Sequence, residues 1–277
     1  MRESIAGRLP SEFESDLFQA ALGNLDEVSN PLRFNNFAYS MRELVRHVLS
    51  RLAPDAAVLR CDWYREETGR ANGISRRQRV YFAVQGGLSD KYVRDELGLD
   101  IARIHRKLRD SVDNLSKHTH IEEGTFSIEP ERVDELVDET LSSVVGLLDT
   151  IDECRKLMRE SLWEHIDTSV IDSGLMNTIL SIDELATHHW IEEIYTSDIE
   201  IADIGVDFVQ IVAEGTVSCT LQWGSHSDLR KGDGATLPQS FPFRCKLQSP
   251  VDDPSNVLVD PEAFGADTSS WWAGYYD

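Results

Sequence analysis

An arginine, an aspartate and a histidine stand at helical spacing near the middle of the chain and suggest phosphodiester chemistry. Arg109, Asp113 and His120 lie at i, i+4 and i+11, so a helix continuing to His120 would place all three on one face. Metal-free cleavage of RNA requires a base for the 2′-hydroxyl, an acid for the leaving oxygen and a cation beside the phosphorane. An unperturbed imidazole titrates near neutral pH, so the side chain of His118 or His120 can serve as base or acid, and an arginine fork matches phosphate geometry. We therefore predict a catalytic site here, with His120 and Arg109 as its principal pair.

The same residues also have a structural interpretation. Lys117, His118 and His120 stand where a helix would end, and the helix dipole stabilises positive charge at that end. If the helix breaks at Ser116, either imidazole could turn inward. Both interpretations stay open at the level of the sequence.

The segment that must position these residues runs from Asp100 to Phe126. Asp100 follows the break at Gly98 and is a plausible N-cap. Apolar residues recur at helical spacing along one stripe, at Ile101, Ile104, Leu108, Val112 and Leu115. The other side of the predicted helix carries Arg103, His105, Arg106, Lys107, Arg109 and Lys117.

A second predicted helix, at 31–53, contributes further cations and an imidazole. Arg42, Arg46 and His47 stand among its apolar positions, and either arginine could bind a phosphate. On an unbroken helix Arg42 and His47 diverge by about 140°, so this pair alone would not act on one atom. We include Arg42 and His47 among the candidate catalytic residues.

A third basic group begins a helix after Ser75, following a loop at 54–75. Cations in a first helical turn oppose the helix dipole, which favours a ligand over a stabilising role. The predicted nucleic-acid-binding residues are Arg46, Arg76, Arg77, Arg79, Arg106 and Lys117.

The distribution of charge agrees with one polyanion-binding region. The chain holds 27 Lys and Arg against 49 Asp and Glu, a formal charge of −22. Residues 30–120 hold 17 basic against 11 acidic residues, or +6, which leaves 10 against 38, or −28, elsewhere. A basic region inside an acidic chain indicates that a polyanionic partner such as RNA would bind at residues 30–120 and would be repelled elsewhere. The acidic residues also have a simpler explanation, since they keep the protein soluble.

The succession of patterns predicts an α+β protein of two domains. Residues 1–165 form an all-helical bundle with a basic face, whose last helix spans about 131–165. Residues 166–277 form a small antiparallel β domain, with strands predicted at 197–203, 206–213, 216–224 and 241–248. A helix-turn-helix at 89–97 and 100–118 is a less favoured alternative, because its second helix is longer than the recognition helix of a small DNA-binding domain.

The aromatic tail, with Trp271, Trp272, Tyr275 and Tyr276, either covers the sheet or contacts a partner.

Several classes of protein are disfavoured by absent motifs. No apolar run approaches the roughly 18 residues of a membrane helix, and four cysteines without paired spacing suggest a reduced, cytoplasmic protein. There is no GxxxxGK[ST] loop, no GxSxG elbow and no carboxylate–lysine cluster of a metal-dependent restriction-type nuclease. His188 and His189 have no acidic partner at ligand spacing, so we predict neither a metal site nor a cofactor.

Two groups of segments carry a resemblance to known families. The helix MRELVRH and the helix end LSKHTH resemble the HEPN superfamily of ribonuclease-like bundles. The segments QGGLSD, LSKHTHIEEGTF, LQWGSHSD and SFPF together resemble bacterial predicted nucleases associated with PIWI-type defence loci.

The resemblance implies a metal-independent endoribonuclease of an antiphage defence system, with a partner from the same locus and a possible homodimer. HEPN ribonucleases place an arginine four to six residues before the histidine, whereas this chain has Ser111, Val112 and Asp113 ahead of His118. This departure leaves a second hypothesis open, in which the chain is a non-catalytic nucleic-acid- or partner-binding subunit.

Overall fold

The computed structural model describes residues 1–69, 71–124, 126 and 128–273. Its internal contacts divide the chain into two compact units, Met1–Cys154 and Arg155–Asp277. Helices make up the first part of the chain and an antiparallel sheet follows, which confirms the predicted α+β class.

Helices α1 to α6 occupy the first unit, and a long helix α7 begins in it. The bounds are α1 Arg2–Ala6, α2 Glu12–Asp26, α3 Arg33–Leu52, α4 Asp55–Val58, α5 Arg76–Gln85, α6 Ile101–His118 and α7 Pro130–Met176. A π-helical turn at Tyr92–Glu96 takes the place of the predicted helix at 89–97. Helix α7 extends eleven residues past the predicted end at about 165.

Side-chain caps begin helices α2, α5 and α6, at Ser75 and Asp100 as the sequence predicted. The Ser11 hydroxyl accepts a hydrogen bond from the backbone N–H of Glu14, and Ser75 and Gln78 form a reciprocal capping box. The Asp100 carboxylate accepts the backbone N–H of Arg103 at 3.0 Å. These bonds satisfy N–H groups that have no partner within the first helical turn.

The core of the first unit surrounds α3, which buries Phe34, Phe37, Met41 and Leu44. Helix α6 contributes the predicted apolar stripe, in which Ile101, Leu108, Val112 and Leu115 are all buried. This burial removes apolar surface from water on the side of α6 that faces its neighbours.

The loop between α3 and α5 is held by its aromatic residues. The Trp63 indole N–H donates to the carbonyl of Gly86 at 2.9 Å, and the Tyr64 hydroxyl donates to the carbonyl of Gly73 at 3.1 Å. Cys61 is buried beside them. The short helix α4, which the sequence did not indicate, lies at the start of this loop.

Helix α6 ends at His118, with Thr119 as its C-cap. The Thr119 hydroxyl donates to the carbonyl of Ser116 at 2.8 Å, and Asn35 of α3 donates to the carbonyl of His118 at 2.8 Å. These bonds satisfy the last carbonyls of the helix. His120 therefore lies beyond the helix, and the helical alignment with Arg109 and Asp113 does not extend to it.

The second unit contains a four-stranded antiparallel sheet in the order β1-β2-β3-β4. The strands are β1 His188–Ile204, β2 Phe208–Trp223, β3 Ala235–Pro250 and β4 Leu258–Ala266. The unit also contains the short helices α8 Leu180–Asp183, α9 His226–Lys231 and α10 Ser269–Trp272.

The predicted sheet had the correct strand number but wrong strand boundaries. Residues 206–213 and 216–224 belong mostly to one strand, β2, which continues through Gly215. A Cβ atom at Gly215 would lie 2.0 Å from the carbonyl oxygen of Tyr195, so the glycine permits close pairing there rather than a turn. The fourth strand is β4, which was not predicted.

The aromatic tail begins against the sheet. Trp271 stacks on Trp223 with ring centroids 6.0 Å apart, and Trp272 is partly exposed. Tyr275 and Tyr276 lie outside the described residues. Among the described helices there is none long and apolar enough to cross a membrane.

Candidate functional site

Helices α3, α5 and α6 enclose a cavity of about 330 Å³ with a strongly basic lining. We call it the arginine cavity, since four guanidinium groups line it. Its lining residues are Arg42, Glu43, Val45, Arg46, Leu49, Arg76, Arg79, Val112 and Ser116. Four arginines and one glutamate give this lining a formal charge of +3.

On α3, one carboxylate holds two of the arginines. The Arg46 Nε donates to Glu43 at 2.8 Å, and an Nη of Arg42 lies 3.5 Å from the other Glu43 oxygen. The hydrogen bond from Arg46 lowers the pKa of Glu43, so the carboxylate stays ionised at neutral pH. Arg42 also donates to the Thr119 hydroxyl at 3.1 Å, which connects α3 to the end of α6.

On α5, the two lining arginines differ in how firmly they are held. Arg79 donates to the carbonyl of Ala53 and to Asp55, both at 2.8 Å, and its side chain is only 20% exposed. Arg76 makes one longer ion pair, 3.5 Å to Asp113, and its side chain is 40% exposed. Of these two lining arginines, Arg76 can therefore more easily turn towards a ligand.

Helix α6 presents a polar stripe beside its apolar one. His105, Arg109 and Ser116 stand at i, i+4 and i+11, so they share one face, and Val112 of the apolar stripe adjoins it at i+7. Val112 and Ser116 line the arginine cavity, and His105 lies about 10 Å further along the helix axis from Val112.

His105 is a titratable group on the side of α6 that was predicted to carry exposed cations, and it was not among the predicted catalytic residues. Partial burial lowers the pKa of His105, and the charges of Arg109 and Arg77 lower it further. The imidazole is therefore neutral at pH 7 and can accept a proton. Its spacing of four residues from Arg109 was the sequence signal that could have identified it.

The remaining predicted basic residues lie near this stripe or on the outer surface. Arg109 pairs with Asp110 at 2.8 Å, and Arg77 pairs with Glu67 at 3.3 Å. Arg106 and Lys117 are exposed on α6.

The predicted histidines do not line the arginine cavity, within the part of the chain that the structure describes. His47 accepts a hydrogen bond from Arg46 at 2.9 Å, and its ring contacts Phe13 of α2. His118 packs edge-on against Phe34 with centroids 4.9 Å apart, and its buried Nδ1 has no hydrogen-bond partner among the described residues. His120 is exposed in the turn after α6.

The structure thus gathers some predicted residues and separates others. Arg42, Arg46, Arg76 and Arg79 meet at one cavity although α3 and α5 are separated by a long loop. Asp113 pairs with Arg76 of α5. Within the described residues, no group of three or more His, Cys, Asp or Glu side chains could hold a metal ion.

Comparison with protein families matches nearly the whole chain. Two family models, both described as predicted pPIWI-associating nuclease, match residues 6–144 and 151–272. No curated protein and no solved structure matches the chain. Because the two matches together cover most of the sequence, the chain belongs to the family of predicted pPIWI-associating nucleases.

Proposed function

We propose that this nuclease cleaves RNA without a metal ion, and that the arginine cavity holds the phosphate backbone of its substrate. The observation that carries the proposal is the convergence of Arg42, Arg46, Arg76 and Arg79 on one cavity in an otherwise acidic protein. Arginine forks bind phosphate oxygens in pairs, and a phosphate chain would neutralise the excess positive charge of the cavity.

The polar stripe of α6 supplies the groups for the chemical step. His105, neutral at pH 7, takes the proton of the ribose 2′-hydroxyl as the 2′-oxygen attacks phosphorus. Arg109 and Arg76 stabilise the charge of the phosphorane. The bond from phosphorus to the 5′-oxygen then breaks, and the leaving oxygen takes a proton from water. The products are a 2′,3′-cyclic phosphate and a 5′-hydroxyl end.

The family description also supports a biological setting. Its members are described as associating with pPIWI proteins. We propose that this chain acts in a bacterial antiphage defence complex, with a protein partner encoded at the same locus.

A binding role without catalysis is the second candidate function. It is favoured by the lining of the arginine cavity, in which the described residues include no histidine. In that case the cavity would hold nucleic acid for a partner that performs the cleavage.

The test is incubation of the purified chain with end-labelled single-stranded RNA and DNA, with and without EDTA. We expect RNA to be cut in EDTA, leaving 2′,3′-cyclic phosphate ends, while the DNA stays intact because it lacks the 2′-hydroxyl. Arg76→Ala and His105→Ala should each slow the reaction. The matched control is Arg132→Ala, which removes an exposed, ion-paired arginine of α7 outside the cavity.

Each other result has a definite meaning. Binding of RNA by the wild type without cleavage would support the second candidate function. Cleavage that EDTA abolishes would contradict the metal-free mechanism, and failure to bind RNA at all would overturn both candidates.

A further inference from the structure

A second cavity, of about 210 Å³, lies at the other end of the α5–α6 pair. The two helices run antiparallel, because Arg76 at the start of α5 pairs with Asp113 of α6 and Gln85 at its end lies by Ile101. Residues of this second cavity include Tyr81, Gln85, Asp90, Arg94, Asp100 and Ala102.

Gln85 is the most unusual residue of the lining. Its side chain is 1% exposed, and its amide nitrogen donates to the carbonyl of Leu88 at 2.7 Å and to Asp90 at 2.8 Å. These two bonds fix which end of the amide is the nitrogen. The Oε1 oxygen is buried and has no hydrogen-bond partner among the described residues. An unsatisfied buried acceptor is rare in proteins and calls for a donor, which a bound water or a ligand would supply.

The other polar groups of the lining are mostly acceptors as well. Asp90 and Asp100 contribute carboxylates, in each of which one oxygen accepts a hydrogen bond from Gln85 or from the Arg103 N–H and the other remains for a ligand. The guanidinium of Arg94 is engaged with Asp95 at 2.7 Å. Tyr81 adds a half-buried aromatic ring. Val93, Leu99 and Ile101 make the rest of the lining apolar. An apolar cavity with one aromatic ring and several acceptors complements a flat ligand that carries adjacent N–H donors.

Among the nucleobases, guanine has this donor pattern, with N1–H and the 2-amino group side by side on its Watson–Crick edge. Single-stranded RNA is commonly read by stacking a base on an aromatic side chain and hydrogen-bonding its Watson–Crick edge. The cavity is smaller than the ~300–1,000 Å³ typical of sites for drug-sized ligands, which suits a single base.

Arg77 follows Arg76 of the arginine cavity and lies close to Tyr81 of the second cavity, so it indicates a path for the backbone. Its guanidinium sits 5.2 Å from the centre of the Tyr81 ring, and Arg76 beside it lines the arginine cavity. Gln85 stands nine residues after Arg76, or about 13 Å along α5. A few nucleotides of extended single strand cover that distance.

We propose that the second cavity binds one guanine base of the RNA whose backbone lies in the arginine cavity. This inference rests on the proposed function, because it takes single-stranded RNA as the ligand. It assigns the chain a base preference in addition to backbone binding.

The experiment measures the affinity of short 2′-O-methyl oligouridylates, which lack the hydroxyl consumed in cleavage. One set carries a single guanine, and matched sets carry adenine, cytosine or only uracil. We expect the wild type to bind the guanine oligonucleotide roughly tenfold or more tightly than the others.

Ala102→Phe is the variant of choice, because Ala102 is an exposed helical residue of the lining and the larger ring would fill the cavity. It should reduce the affinity for the guanine oligonucleotide to that for oligouridylate, which should itself be unchanged. Ala20→Phe on α2 makes the same substitution at another exposed helical position and should keep the preference. Gln85→Leu removes the acceptor directly, with circular dichroism to verify folding.

The failures of the two proposals are distinguishable. Equal wild-type affinity for all four oligonucleotides would overturn the guanine site while leaving RNA binding in the arginine cavity intact. A guanine preference that survives Ala102→Phe in a folded protein would place the base elsewhere and also overturn it. Absence of binding to every oligonucleotide would overturn the proposed function together with this inference.

Discussion

At the scale of single residues, the two imidazoles near the end of α6 have different surroundings. The ring of His118 packs on Phe34, whereas His120 is exposed in the following turn. We expect His118→Ala to lower the free energy of unfolding by about 1–2 kcal/mol through lost packing. His120→Ala should change it by no more than about 0.5 kcal/mol. Urea denaturation of both variants at pH 7.5 measures the difference, and equal losses would contradict the packing role.

The stability of the protein should also fall on mild acidification. Burial lowers the pKa of His118 below its usual 6.5, and the charges of Arg132 and Lys117 lower it further. Above pH 6.5 the imidazole is neutral in both the folded and the unfolded chain. As the pH falls from 6.5 through the lowered folded-state pKa, the unfolded chain binds more protons and the free energy of unfolding declines.

His118→Phe keeps an aromatic ring against Phe34 but cannot titrate. The decline in melting temperature between pH 7.5 and about 5.5 should therefore be shallower in His118→Phe than in the wild type. Part of the decline should persist, because the pKa of His105 is lowered as well. Identical pH dependence in the two proteins would show that His118 does not contribute.

The pH dependence of cleavage should report the environment of His105. A general base must be neutral, so the rate should rise with pH and level off, with a midpoint below 6.5 because the pKa of His105 is lowered. His105→Ala should reduce kcat/KM by roughly 10²–10⁴-fold.

Arg109→Gln provides a directional test of the same assignment. Removing the Arg109 charge should raise the pKa of His105 and move the midpoint of the rate profile to higher pH. Arg106→Gln, at an exposed position of the same helix, should leave the midpoint in place. A profile that shifts equally in both variants would point to a different titrating group.

At the scale of elements, the two arginines of α5 that line the arginine cavity should have different roles, one in stability and one in ligand binding. Arg79→Ala loses two hydrogen bonds that connect α5 to the end of α3 and to α4, so we expect a loss of about 1–3 kcal/mol in unfolding free energy. Arg76→Ala loses only a long, partly exposed ion pair and should cost no more than about 1 kcal/mol. Arg76→Ala should nevertheless weaken RNA binding in a filter assay. Equal stability of the two variants would contradict this division.

Strand β2 depends on a glycine for its continuity. In Gly215→Ala the new methyl group would meet the backbone oxygen of Tyr195 on β1, which cannot move without disturbing the sheet. We expect a loss of about 3 kcal/mol or more. Gly23→Ala in α2 is the matched control, because its methyl group would meet no atom within 4 Å and should stabilise the helix by about 0.5–1 kcal/mol. Thermal denaturation of both variants compares them.

At the scale of the whole molecule, the concentration of basic charge in one region predicts how salt affects binding. A single strand that contacts four arginines should give a slope of about −3 in log affinity against log salt, from ~0.7 per phosphate. Arg46→Ala should make the slope shallower by about 0.7. Fluorescence anisotropy at salt concentrations from about 50 to 200 mM provides the slope. An affinity independent of salt would contradict a phosphate-binding arginine cavity.

The sequence by itself determined the features that depend on neighbouring residues. The caps at Ser75 and Asp100 follow from side chains that reach an N–H group three residues away. The apolar stripe of α6 follows from apolar residues that recur at helical spacing. The order of helices before strands follows from the change of that spacing, later in the chain, to the alternation typical of strands. The local excess of basic residues in 30–120 was also visible, because charge can be counted along the chain.

Only the tertiary structure decided which of those basic residues meet. Arg42 and Arg76 come together because α3 and α5 both pack beside α6, and no local pattern fixes that packing. The end of α6 is held by Asn35, a residue 83 positions earlier. The pairing of Gly215 with the backbone of β1 likewise depends on contact between separate strands. Contacts between distant segments depend on how whole elements pack, and so the candidate site could be assembled only from the folded protein.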